Sequence, residues 1–474
     1  MATASAEPLT TRKVADLPGP RGLPLIGNAH QLTPSRAHLI LEEWAKELGT
    51  PFRFQIGSRP VTVWDDTELC HMIMRDRPYG YRRYAPIEDI LKEMGSNGVF
   101  SVEGAAWEPQ RKLVMQALSI AHIKAFYPTL TAITERLRIR WKRAARRGSV
   151  VEMTDDLKRY TVDVTSALAF GDDPKTLEQD GDVIQEHLAV IFPMLMNRIN
   201  APVRYWRYIK LPRDRQLDRS LIEVHRYVRL TMQRARERIR DCPDAEPGNL
   251  LDAMLRVRDA PGSGITDDEV AANVLTMLLA GEDTTANSIA WALLYLTADD
   301  ALQNRISQQS RAALAHANVC PTYDTLKLLD LCEAVCTETS RFRPVVPVHA
   351  FEPLHDVVHR GVHLPAGSRM FFLTRPSMLD PNNFDHPDEF DPERWMHNRA
   401  SEHRTHEVRA HLQFGGGPRV CPGRHLSTVE MRLVISMLSA GFVSRLAVDA
   451  STIQEVAAFT MVPSKMPVRL TLRH

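Results

Sequence analysis

Cys421 stands in the run Phe-Gly-Gly-Gly-Pro-Arg-Val-Cys-Pro-Gly, residues 414 to 423 of a 474-residue chain. Three consecutive glycines let the backbone take positive φ or approach a neighbour closely, while Pro418 and Pro422 stiffen the loop. Leu426, Val429, Leu433, Val434 and Met437 follow at helical spacing, so the cysteine sits just before a helix N-terminus. Free backbone N–H groups and the helix dipole favour a thiolate there. Arg419, two residues from the sulfur, is placed to pair with an anion, and Phe414 offers a ring to pack beneath a flat ligand. Such a thiolate suits a metal ligand better than a nucleophile, because no histidine base is placed beside it; His425, one turn on, is a weak candidate. A phosphate loop fits less well, since residues 415–420 lack the GxGxxG spacing and no βαβ unit surrounds them. A plain turn before a helix, with an inert cysteine, stays open on the loop alone.

A second group of reactive types lies in Ala280-Gly-Glu-Asp-Thr-Thr285. It interrupts the clearest helix of the chain. Thr266-Asp-Asp-Glu269 predicts a capping box with three acids in the first turn, and the apolar periodicity runs to about Thr297. At 1.5 Å per residue this is roughly 45 Å, enough to cross a large domain, so the helix is expected to be central. Glycine costs about 1 kcal/mol inside a helix and threonine is a weak helix former. An exposed polar face and a functional insert are both open for this segment. Further on, a helix is predicted to end near Pro344, with Glu338 and Arg341 three apart on one face. Residues 390–395, Phe-Asp-Pro-Glu-Arg-Trp, read as a turn with a second acid–base pair.

The elements that must hold these groups are mostly helical. Short β-like runs (FRFQIG, RPVTVWD, VVHRGVHLP, RMFFLT, PVRLTLR) sit toward the two ends, giving a mainly α reading with a smaller β region. Residues 1–16 read as a polar tail and Leu17 to Asn28 as a turn-rich lead into the fold. Net charge is +1 and 44% of residues are apolar, which gives no reason to expect nucleic acid. The first twenty residues hold no apolar signal core, and no apolar run reaches the roughly 18 residues of a spanning helix. The expectation is a cytoplasmic protein with no membrane anchor. Six cysteines occur, and Cys332 and Cys336, one helical turn apart, have no second pair, which excludes a zinc-type pattern and favours reduced thiols.

Taken together, these segments resemble the cytochrome P450 family. Residues 414–423 match, position for position, its haem-binding signature: Phe, two residues, Gly, one residue, Arg, one residue, Cys, one residue, Gly. Residues 280–285 look like its oxygen-activation motif, Glu338-Thr-Ser-Arg341 like its Glu-x-x-Arg, and Arg394 falls in its Pro-Glu-Arg element. Trp107 to Arg111 resembles the Trp-x-x-x-Arg of the helix that touches the haem, and Leu17 to Asn28 its proline-rich hinge. The resemblance covers residues 17–474 and implies one catalytic domain of the cytochrome P450 fold, with a long central helix over the cofactor, in a soluble, bacterial-type enzyme.

It implies haem b with Cys421 as the axial thiolate, which pushes electron density onto iron and favours O–O cleavage. Arg419, Arg111 and Trp107 would hold the propionates, with Phe414, Gly423 and Ala280 against the cofactor. Asp283 and Thr284 would be the acid–alcohol pair that delivers protons, and Gly281 would leave room over the iron. Glu338, Arg341 and Arg394 would form a buried structural triad. One position departs from the pattern: Phe351 stands where many members carry another propionate-binding arginine, and His349 is the nearby substitute. The implied activity inserts one oxygen atom from O2 into a hydrophobic small molecule by hydroxylation or epoxidation. No nicotinamide or flavin fingerprint is present, so electrons are expected from a separate ferredoxin- or flavodoxin-type protein. Arg111, Lys112 and the run Arg136 to Arg147 are candidate docking cations, or a solvated helix face. Competing readings are a peroxygenase or isomerase needing no external electrons, and a non-catalytic haem sensor or carrier. Substrate contacts are expected between Tyr79 and Phe100, near Leu279, at Val345 to His349 and near Phe459. Tyr79 to Tyr84 reads chiefly as an exposed loop, or else as a contact for a polar or anionic substrate group; Arg204 to Lys210 reads as part of a pocket entrance, as a membrane contact or as solvated surface.

Overall fold

The computed structural model describes residues 11–179, 183–201, 203–396 and 406–473. In chain order the helices are α1 (Ala37–Leu48), α2 (Thr67–Asp76), α3 (Ala85–Glu93), α4 (Trp107–Ala117), α5 (Ile120–Arg147), α6 (Met153–Phe170), α7 (Val183–Ile199), α8 (Pro212–Asp241), α9 (Leu250–Asp259), α10 (Asp267–Ala298), α11 (Asp300–Leu314), α12 (Asp330–Phe342), the single-turn α13 (Arg375–Met378) and α14 (Arg424–Gly441). The mainly α expectation holds, and each β-like run contains a strand.

The long helix starts where its cap dictates. Thr266 Oγ1 accepts from the Glu269 N–H at 3.2 Å, and the Glu269 carboxylate accepts from the Thr266 N–H at 2.8 Å. These bonds satisfy two of the donors that a helix N-terminus leaves free. The helix α10 then runs 32 residues, apolar around most of its circumference, and is buried on nearly every side. A helix of that kind has to lie inside the molecule. It packs against α6, α9, α12 and α14, and the largest apolar core gathers around it. A second apolar cluster joins α3, α7 and α8 to Leu275 and Leu279 of α10.

The main sheet has five strands in the order Phe52–Ile56, Arg59–Trp64, Arg369–Leu373, Val348–Pro353, Tyr81–Arg83. Residues 59–64 and 369–373 run parallel and the other neighbours antiparallel. Residues 1–10 of the expected tail lie outside the described residues. Arg12 and Lys13 already pair in parallel with Val362 and His363, so the chain joins a sheet before Leu17. The run Tyr79 to Tyr84, expected as an exposed loop, is mostly internal. Tyr79 is exposed, but Tyr81 and Tyr84 are buried and residues 81–83 form the edge strand of the main sheet.

Two buried carboxylates tie distant segments together. Glu338, on α12, has no exposed surface. It accepts from Arg341 Nη2 at 2.8 Å, Arg394 Nε at 3.2 Å, Trp395 Nε1 at 2.8 Å and the Asp391 N–H at 2.9 Å. The remaining guanidinium N–H groups reach backbone carbonyls, among them Met378, Glu389 and Asp385. Residues 378–395 are thereby pinned to α12. Glu455 accepts from His38, Arg343 and Arg375, which joins α1, the end of α12, α13 and the strand Glu455–Ala457.

Replacing Glu338 by glutamine leaves two buried guanidiniums without their anion. The expected loss is about 3–5 kcal/mol, read as a lowered unfolding temperature. For Glu455, burial alone would raise the pKa, but hydrogen bonds from His38 and Arg375 and the charges of Arg375 and Arg343 hold it at about 2 against an ordinary 4.5. Its stabilisation is complete above the ordinary value and disappears as the pH falls toward 2. The amount is roughly 3 kcal/mol. Thermal unfolding followed down through that window should show a steeper decline for the wild type than for Glu455→Gln.

Candidate functional site

The loop around Cys421 is closed by its own backbone. The Cys421 N–H donates to the Phe414 carbonyl at 2.9 Å, and Gly423 caps α14. Gly417 has φ +64°, and a Cβ there would lie 2.2 Å from the Met74 carbonyl oxygen. Only glycine lets the loop rest this close on α2. The Cys421 thiol is accessible to solvent, yet burial pushes its pKa up. Such a side chain faces an internal space rather than the outer surface. The N–H groups of Gly423 and Arg424 and the charges of Arg111 and Arg424 act in the opposite direction, stabilising a thiolate. Burial outweighs them in the balance.

α10 reports the same internal space independently. Residues 272–293 are buried except at Ala280, Gly281 and Thr284. Ala280 and Thr284 lie at i and i+4 and share one face of the helix; Gly281 is turned about 100° from Ala280. Gly281 is where α6 comes close: a Cβ would meet Thr165 Oγ1 at 2.7 Å. The expected segment is therefore no exposed polar face. Thr284 Oγ1 donates to the Ala280 carbonyl at 2.9 Å. Thr285 Oγ1 donates to Ser427 at 3.1 Å, which fixes α10 against the first turns of α14.

The acid and the alcohol are adjacent in sequence but not hydrogen-bonded to each other. Successive helical residues point about 100° apart. The buried Asp283 carboxylate turns away from Thr284, accepting from Asn287 Nδ2 at 2.9 Å and from Thr460 Oγ1. Lys158 Nζ of α6, about a third exposed, lies 3.6 Å from it. Thr460 and Lys158 carry no local signal in the sequence; only packing brings them to α10.

On the cysteine loop, the Arg419 guanidinium lies 4.7 Å over the Trp107 ring and donates to the Val102 carbonyl at 2.7 Å. It also pairs with Glu103 at 2.9 Å. Arg111 is half-buried; burial lowers its pKa and the Cys421 sulfur raises it, so its charge acts on the sulfur as well. Phe414 packs partly buried on the main core beneath the Arg424 guanidinium. His425 is engaged by the Tyr323 hydroxyl. Among the expected substrate contacts, Phe100 and Phe459 meet edge to face at 6.0 Å, and Phe192 joins Phe459 at 5.6 Å, in the cluster that holds Leu279. Val345 belongs to a separate cluster with Trp291. The basic run at 136–147 is not one free face: Arg136 pairs with Asp163, Arg138 with Glu135 and Arg140 with Asp156. In the run 204–210, Trp206 is buried and Arg204 and Arg207 pair with Glu93.

These residues fit haem b. An internal sulfur supplies a soft anionic ligand, and an arginine stacked on a tryptophan keeps a buried Nε without a partner. The opening on α10 is lined by small residues, which a flat macrocycle with a ligand above it requires.

A family model described as Cytochrome P450 matches residues 17–465. Costunolide synthase from Tanacetum parthenium is 27% identical over 434 residues, covering 88% of this chain and 84% of that protein. Abscisic acid 8'-hydroxylase 2 from Arabidopsis thaliana is 24% identical over 466 residues, covering 96% and 89%. Among solved structures, a cytochrome P450DA heme domain aligns with a TM-score of 0.85 over 97% of this chain and 98% of that one, at 23% identity, a likeness of fold.

Gly417→Ala is expected to cost more than about 2 kcal/mol, because positive φ and a backbone clash act together. Thermal unfolding, with the thiolate-type Soret band as a second readout, checks it.

Proposed function

The chain belongs to the cytochrome P450 family, and on that premise we propose that this haem b monooxygenase hydroxylates or epoxidises a hydrophobic small molecule, with electrons from a separate ferredoxin- or flavodoxin-type protein. The observation that carries the reading is the break in the burial of α10 at Ala280, Gly281 and Thr284. Oxygen chemistry needs a hydroxyl presented to a closed space and, behind it, a carboxylate with access to solvent protons. Thr284 is the hydroxyl. Asp283 is the carboxylate, and Lys158, about a third exposed, is its link to solvent.

Bound haem b supplies the activation of O2; the polypeptide positions, dries and protonates the site. Phe100, Phe192 and Phe459 form an apolar wall that takes a hydrophobic substrate and excludes water. Thr284 holds a proton donor at the opening. Asp283 is poised by Asn287 and Thr460 and recharged through Lys158. Arg419 and Arg111, with Trp107, anchor the cofactor, and Cys421 ligates its metal. The electron donor docks on the cysteine side, where Lys112 is exposed. Lys142, Arg143, Arg146 and Arg147, which carry no ion pair among the described residues, add positive charge. No helix among the described residues is long and apolar enough to cross a membrane, and none of the six cysteines is in a disulfide. A cytoplasmic setting is part of the same proposal.

Optical titration of the ferric protein with apolar metabolites should shift the Soret band to the high-spin form for compounds that enter. With one such compound, Thr284→Ala should lower product per electron by about tenfold or more, and Asp283→Asn should slow O2-driven turnover by about a hundredfold. Peroxide-driven turnover that ignores both substitutions, with none driven by O2 and reductant in the wild type, would replace this reading with that of a peroxygenase.

A further inference from the structure

Phe351 leaves a gap in the family's pattern of propionate ligands, and the structure fills the space around it with cations. Phe351 lies on the strand Val348–Pro353, with Arg83 directly opposite on the neighbouring strand Tyr81–Arg83. Arg77, at the end of α2, places its guanidinium 5.3 Å over the Phe351 ring. Arg77 is 4% exposed. The Arg83 guanidinium lies 4.1 Å over Phe100. Arg419 completes a group of three.

One carboxylate serves all three. Glu103 accepts from Arg77 Nη2 at 2.9 Å and from Arg419 Nη1 at 3.2 Å, and its Oε1 also accepts the Arg83 backbone N–H at 3.0 Å. The other nearby acid, Glu88, is taken by Arg82 at 2.5 Å. His349 adds no charge, since burial and then the charge of Arg83 lower its pKa to about 4. It is neutral, and its buried Nε2 has no partner. Three guanidiniums against one carboxylate leave two positive charges in a desolvated pocket. Burial, with repulsion from Arg77, lowers the Arg83 pKa to about 9. The Nε atoms of all three are buried without partners. Two uncompensated buried cations are costly, so the pocket is built for an added dianion.

We propose that Arg77 and Arg83 bind the two haem carboxylates together with Arg419, Arg77 replacing the arginine missing at Phe351, while Glu103 is the fixed counter-charge that leaves room for two anions. This rests on the haem-thiolate reading above. The arrangement differs from a closed ion cluster such as that around Glu338, whose guanidinium nitrogens reach a carboxylate or a carbonyl. Here the unmatched donors await carboxylates, which suit the guanidinium fork in paired hydrogen bonds.

The test follows haem loss from the holoenzyme to excess apomyoglobin, for protein loaded with haem b or with its dimethyl ester, whose propionates carry no charge. Arg77→Gln and Arg83→Gln should each speed the loss of haem b by about tenfold or more, the change expected when one charge-assisted hydrogen bond goes. The same substitutions should change loss of the diester less than about twofold. Arg77→Lys should restore part of the retention. Glu103→Gln should slow loss of haem b, the reverse of what removing a merely structural ion pair would do. Equal acceleration for acid and ester, or no acceleration for either, overturns the proposal. So does unchanged haem retention with loss of substrate-induced Soret shifts, which would assign the arginines to a substrate anion. If a glutamine variant fails to load haem, the Arg77→Lys and Glu103→Gln rates decide. The ferrous–CO spectrum of the wild type separates the two levels: without the red-shifted Soret band of thiolate ligation, the haem-thiolate reading itself fails.

Discussion

One carboxylate with no exposed surface, Glu338, sets the frame on which the site rests. Its two oxygens collect two arginines, an indole N–H and a backbone N–H. The arginines extend that grip to carbonyls across residues 378–389. An irregular stretch of chain without a sheet or helix ladder is thus held almost as firmly as one. The same helix, α12, also reaches the approach to the cysteine loop, where Ser340 bonds the His411 ring at 2.6 Å, and the loop itself lies against α2. A buried ionic cluster adds little net stability compared with well-packed hydrocarbon, but it tolerates only one geometry.

The contrast between the Glu338 and Glu103 clusters separates structure from function. Both set one carboxylate among more than one guanidinium. Around Glu338, backbone carbonyls occupy the donors that the carboxylate cannot reach. Around Glu103, the Nε donors of Arg77, Arg83 and Arg419 are buried without partners. At Cys421 burial raises the pKa of the thiol, while neighbouring N–H groups and the charges of Arg111 and Arg424 lower it. Under the proposed assignment, a dianionic group carrying a metal cation would suit both at once, with negative charge at the arginines and positive charge at the sulfur.

α10 divides its residues between the two duties of a central helix. Apolar side chains on nearly every side make it the axis of the core. One turn is thinned to alanine, glycine and threonine, and this is where the helix opens. The aspartate of the same turn points elsewhere, into hydrogen bonds with Asn287 and Thr460 and toward a lysine on α6. The helical angle separates the acid from the alcohol, so the buried carboxylate and the partly open hydroxyl face different neighbours.

Much of this was legible in the sequence because it is local. The cap at Thr266, the glycine loop before α14, the cysteine at its end and the helical spacing of Glu338 and Arg341 depend on residues within a few positions of each other. Backbone sterics and hydrogen bonding over that range are the same in any protein that contains them. The burial of Tyr81 and Tyr84 was not legible: an aromatic–basic run has no period that distinguishes an edge strand from a loop until its partner, residues 351–353, is in place. The same holds for Lys158 and Thr460 beside Asp283, and for Arg77 and Arg83 beside Phe351. The sequence alone determined the family, the central helix and the class of chemistry, through contiguous motifs. Only the tertiary structure decided which charges are matched, because a buried ion's partner is chosen by packing between segments tens to hundreds of residues apart, and no local spacing encodes that choice.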